Sequence, residues 1–143
     1  MGTENGDGWA PRSRVGAVVV ALLNGDAEGA ERAAGQPPEP HDTPVLDAAI
    51  RLAVRSLFDE DTPPDDVAAF VASTAQDVDV DPAAAEALIR TQLGEAGLLE
   101  EFPPQVVTDT TWSMLGYLCD HQLGREDSLQ LIEQAEEAAM PAA

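Results

Sequence analysis

The chain reads as all-α. Apolar residues recur at three- and four-residue spacing in segment after segment, and three oxygen-bearing residues stand directly before prolines as helix-start signals. Alanine is abundant, and no long alternation of apolar and polar residues asks for a sheet. A chain of 143 residues fits one domain and buries roughly two-thirds of its unfolded surface. The expected architecture is a compact bundle of about five to six helices, with a central trihelical unit and a flexible N-terminal arm.

Residues 1–11 mix Gly2, Gly6 and Gly8 with Glu4, Asn5, Asp7 and Pro11, a composition that buries little apolar surface and predicts a mobile arm. Trp9 is read as an incidental exposed residue of that arm, against the alternative of an anchor. The single helical domain spans 12–143 and opens with a helical hairpin over 12–35. Its first helix places Val15, Val18, Val19, Leu22 and Leu23 on one face. Asn24 and Gly25 break it, and a short helix over 27–34 ends at Gly35. Residues 36–42, with Pro37, Pro38 and Pro40, form a linker.

The trihelical unit covers 43–102. Thr43 before Pro44, Thr62 before Pro63 and Asp81 before Pro82 each pair a capping side chain with a proline suited to a first turn, whose N–H has no intrahelical acceptor. The first helix runs to about Phe58 and buries Leu46, Ile50, Ala53 and Leu57. The second presents Val67, Phe70, Val71 and Thr74; the third presents Ala85, Leu88, Ile89 and Leu93 and closes at Gly97. Pro103 and Pro104 divide this unit from a C-terminal helical pair over 103–143. In that pair Asp109 or Thr110 caps a helix carrying Trp112, Leu115, Leu118, Cys119 and Leu123, which ends at Gly124. The last helix starts near Asp127 with Leu129, Ile132, Ala135 and Ala139 inward and Glu133, Glu136 and Glu137 toward solvent, and it frays near Met140 because negative charge is unfavourable at a helix C-terminus.

Charge bounds function. Twenty-seven acidic residues face seven arginines and no lysine, for a formal net charge of −20. Such a surface repels phosphate backbones and anionic lipid headgroups, so direct nucleic-acid and membrane binding are disfavoured. The larger share of the acidity is attributed to proteome background. Arg12 and Arg14 before the apolar run 15–23 look like the start of a signal peptide, but Glu4, Asp7 and the missing small-x-small site make it a buried helix. Gly6 stands where a myristoylation signal wants Ser or Thr. One cysteine forms no internal disulfide, and cytoplasmic residence is the expectation.

The segment from Thr43 to Glu101 resembles a helix-turn-helix or winged-helix core: support helix, short helix, turn, longer helix, then Gly97-Leu98-Leu99. In that family the longer helix meets DNA through basic or amide side chains near its start. Here that start offers Asp81, Ala83, Ala84, Ala85 and Glu86, with only Arg90 and Gln92 later, and Pro103-Pro104 stands where a wing would follow. A charge-inverted module for protein contact fits better. Asp77, Asp79 and Asp81 resemble the opening of an EF-hand loop, but its sixth position is Pro82 and its twelfth Leu88, which leaves a solvated turn and a helix cap. Asp127-Ser128-Leu129 resembles a carrier-protein phosphopantetheine site, with Arg125 and Glu126 as extra spacing and only 15 residues after Ser128. Cys119, Asp120 and His121 project about 100° apart on a helix and do not face one another as nucleophile and base. They read as a core thiol and a half-exposed histidine; His41 lies apart from them in the linker.

The sequence therefore predicts a non-enzymatic, acidic interaction or regulatory module without cofactor or metal. Its partner is a protein with a basic or apolar surface, and a homodimer is compatible. The expected contact residues are Asp59, Glu60, Asp61, Asp65, Asp66, Asp77, Asp79, Asp81, Glu133, Glu136 and Glu137. Alternatives are a nucleic-acid mimic that inhibits a DNA-binding protein, a carrier-like or small-molecule-binding bundle, and a degenerate helix-turn-helix regulator.

Overall fold

In the computed structural model, described over residues 11–37 and 39–140, all regular structure is helical, with no strand among the described residues. The expected all-α arrangement is present, with α1 (Arg14–Leu23), α2 (Ala27–Ala34), α3 (Asp42–Arg55), α4 (Pro64–Asp77), α5 (Pro82–Gln92), α6 (Pro104–Tyr117) and α7 (Gly124–Ala139) among the described residues. A 3-10 turn at Leu98–Glu101 precedes α6, and a π segment at Leu118–Leu123 precedes α7. Trp9 and the rest of the expected arm up to residue 10, and Pro38 of the linker, lie outside the described residues.

Of the three expected Thr/Asp-Pro starts, one holds. Asp81 accepts from the Ala83 N–H at 3.0 Å, with Pro82 at the first position of α5. α3 starts before Thr43, at Asp42, where Val45 N–H already donates to the His41 carbonyl. Pro44 is tolerated there because it still falls among the first four residues, whose N–H groups have no intrahelical acceptor. Thr62 caps nothing; its hydroxyl accepts from Asp59 N–H at 2.9 Å inside the α3–α4 loop.

The pairs Pro63-Pro64 and Pro103-Pro104 behave alike. A residue before proline is pushed out of the α region, so Pro63 and Pro103 sit extended at ψ 142° and 146°, and each helix begins at the second proline. This moves the start of α6 from the expected Asp109 or Thr110 back to Pro104. Pro103-Pro104 thus opens a helix as well as dividing two.

Contacts divide the chain into two units. The first joins the described residues up to Ala49 with those from Arg125 on; the second is Ile50–Gly124, and α3 runs through the boundary. In the first unit α1 packs on α2 across the Asn24-Gly25-Asp26 turn, and Val15, Val18, Val19, Ala30, Val45, Leu46, Leu131, Ile132 and Ala135 are buried. Leu22, expected inside, is 55% exposed. In the second unit α4 packs on α5 and α5 on α6, with Ile50, Val54, Val67, Val71, Leu88, Ile89, Met114, Leu115 and Leu118 buried. The stretch resembling a helix-turn-helix is α3, α4, α5 and the 3-10 turn, and no strand of a wing follows it among the described residues.

The end of α6 departs from the expected single helix. The chain widens into the π segment, then turns at Gly124 with φ 81° and ψ 171°, a combination essentially confined to glycine.

Candidate functional site

The acidic residues expected to meet a partner fall into two sets. Asp59, Glu60 and Asp61 lie in the α3–α4 loop, Asp65 and Asp66 in the first turn of α4, Asp77 at its last residue, and Asp79 and Asp81 in the short link to α5; all eight are exposed. They flank one helix of 14 residues, about 21 Å long at 1.5 Å per residue.

The loop is built by its own acids. Asp59 Oδ1 accepts from Asp61 N–H at 2.9 Å and from the Thr62 hydroxyl at 3.3 Å. Asp65 and Asp66 sit where the positive end of the helix dipole favours them. Asp77 accepts from the Tyr117 hydroxyl at 3.3 Å, which fixes the C-terminal end of α4 to α6. That tyrosine belongs to a chain of rings, Phe58, Phe70, Tyr117 and His121, whose successive centroids are 5.2, 6.2 and 4.4 Å apart.

Cations are absent from this stretch. From Ser56 to Ile89, 34 residues, there are nine carboxylates and no lysine, arginine or histidine. Only Glu86 among the nine is ion-paired within the described residues, to Arg90 at 3.2 Å. Arg90 is itself shared with Glu95 at 2.6 Å, a hydrogen bond that holds the Glu95 carboxyl below its usual value and raises the guanidinium. Arg55 points to the Gln92 carbonyl at 3.1 Å. The eight flanking carboxylates are left facing water.

The α7 residues divide differently. Glu137 is exposed and Glu133 half-buried, in the first unit. Glu136 is 0% exposed, which corrects its expected solvent-facing role. Its carboxylate accepts from Arg12 N–H, Ser13 N–H and the Ser13 hydroxyl at 2.6 to 3.0 Å, donors that satisfy its buried oxygens. The signal was in the spacing, since Glu136 follows Leu129 by seven and Ile132 by four and so shares their inward face.

Near the same helix start, Arg14 donates to Asp42 Oδ2 from Nε at 3.0 Å and from Nη2 at 2.5 Å, and to the Ala34 carbonyl at 2.8 Å. Burial alone would raise the Asp42 carboxyl. The hydrogen bonds from Arg14 and from Glu39 N–H, with the guanidinium charge, outweigh it and hold the group below its ordinary value. A cleft of about 390 Å³, open to solvent, lies beside this pair and is lined by Pro11, Arg12, Arg14, Gln36, Pro37 and Glu39.

The remaining motifs resolve simply. Ser128 is 0% exposed, so its hydroxyl is closed to a modifying enzyme in this conformation. Cys119 is buried, while His121 stacks on Tyr117 and reaches Asp120 at 3.6 Å. Asp77, Asp79 and Asp81 belong to no metal-binding cluster among the described residues. No helix there is long and apolar enough to cross a membrane. Compared with known proteins, the chain matches no family model, no curated protein and no solved structure.

Proposed function

We propose that this chain is a non-enzymatic interaction module that binds a cationic surface of another protein through the acidic stretches on either side of α4. One observation carries the reading. Eight exposed carboxylates cluster at the two ends of a single 14-residue helix, in a 34-residue stretch that holds no cation. Other acids are paired within the fold, Asp42 with Arg14, Glu95 with Arg90 and Glu136 with the start of α1, whereas none of these eight has an ion pair among the described residues. Long-range attraction of this kind raises association rates and falls with salt. Glu133 and Glu137 are auxiliary contacts in this proposal, and Glu136 is withdrawn from it.

The test is affinity capture from the native host with the wild-type chain and with a variant carrying Glu60→Gln, Asp65→Asn, Asp66→Asn and Asp79→Asn, four residues with no side-chain hydrogen bond or ion pair among the described residues. The expected result is a basic protein retained by the wild type, released by salt and lost in the variant. Equal capture by both would refute the proposal. Capture of a DNA-binding protein that duplex DNA displaces would point to the mimic instead.

A further inference from the structure

The start of α1 is capped in two parts drawn from opposite ends of the sequence. Ser13 is the cap residue, and its hydroxyl accepts from Gly16 N–H at 2.8 Å. In a capping box the residue three places on is Glu or Gln, whose side chain returns to the cap's own N–H. Here that place is Gly16, and the carboxylate comes from Glu136 on α7. It accepts from Ser13 N–H at 2.8 Å and from the Ser13 hydroxyl at 2.6 Å, 123 positions away along the chain. The same hydroxyl thus accepts from α1 and donates to α7.

Glycine is what makes room. A Cβ at position 16 would collide with Glu136 Oε2 and press on Ser13 Oγ. At the other end of the contact, α7 has no basic residue in its last turn, while Glu133, Glu136 and Glu137 crowd the end of a helix where negative charge is unfavourable. The amides ahead of α1 and the Arg12 guanidinium, at 4.0 Å from Glu136, supply the compensating positive potential.

We infer that Ser13, Gly16 and Glu136 form a capping box completed across the fold, a latch that makes the first turn of α1 and the last turns of α7 order and open together. The latch draws all its residues from the first unit. It gives the chain a defined point of local opening, at which the end of α7 detaches without loss of the helices that carry the acidic surface.

Native-state hydrogen exchange on the full chain tests this with Glu136→Ala and with Gly16→Glu/Glu136→Ala. The double variant rebuilds an ordinary Ser-x-x-Glu box within α1 and leaves α7 without its carboxylate. In Glu136→Ala, amides of the first turn of α1 and of residues 133–139 should exchange at least about tenfold faster, with α4 and α5 unchanged. In the double variant the first turn of α1 should regain protection while 133–139 stay fast. Wild-type rates at 133–139 in Glu136→Ala, uniform acceleration of the whole chain, or recovery of both ends in the double variant would each overturn the latch. Should Glu136→Ala fold poorly, Ser13→Ala keeps the amide donors and should speed both ends to a smaller, matched extent; speeding one end alone contradicts the coupling.

Discussion

Replacing a helical glycine with alanine ordinarily stabilises a protein, and this chain offers two such positions with opposite expected signs. Gly116 lies exposed within α6, and a Cβ there meets nothing within 4 Å. Gly116→Ala should therefore gain the helix-propensity difference, up to about 1 kcal/mol. Gly16→Ala gains no more than that, but its methyl takes the space of the Glu136 carboxylate. Leaving the donors of Ser13 and Arg12 without that acceptor costs about 1–3 kcal/mol, so the net effect is a loss of about 1–2 kcal/mol. At about 3 °C per kcal/mol for a chain of this size, Gly116→Ala should melt up to about 3 °C higher and Gly16→Ala about 3–6 °C lower. Thermal and urea unfolding followed by circular dichroism, with both variants in one buffer, is the assay. Equal stabilisation by the two substitutions would refute the role assigned to Gly16.

Other expectations follow from the same contacts. Because the Asp42 carboxyl is held below its ordinary value of 3.8, its stabilisation is complete above that value and lost as pH falls through the lowered one; the stability gap between wild type and Asp42→Asn, measured by urea titration, should be constant near neutrality and close below pH 3.8. Asp81→Ala should cost about 1 kcal/mol as the loss of a working cap, whereas Thr43→Ala, measured alongside it, should be close to neutral because α3 begins at Asp42. With a net charge of −20, raising sodium chloride from about 20 mM to about 0.5 M should increase the melting temperature by screening carboxylate repulsion; a fall would show that attractive pairs dominate.

The helices were legible because periodicity is local: Val15, Val18 and Val19, or Leu88 and Ile89, declare a face within one or two turns. Asp81-Pro82 was legible for the same reason. The errors arise where two local rules compete or where a partner is remote. At Pro63-Pro64 and Pro103-Pro104 the restriction that the second proline places on the first outranks any capping residue upstream, and it delays or advances the helix start accordingly. Glu136 reads as solvent-facing if its charge is weighed and as inward if its spacing is weighed. The spacing prevailed because Ser13 and Arg12 offer donors that no neighbouring residue could reveal. The π segment at Leu118–Leu123 has no evident signal in its residues. Of the eleven acids expected at a partner surface, ten remain exposed or half-exposed, and eight of these gather around α4.

The most direct measurement is an amide NMR titration of the chain with a lysine-rich helical peptide at low and at physiological salt. Shifts should concentrate at residues 59–66 and 77–81, weaken with salt and vanish in the Glu60, Asp65, Asp66 and Asp79 variant. Shifts of equal size at exposed acids elsewhere, such as Glu31, Glu100 and Glu126, or none at either end of α4, would contradict the assignment of that surface.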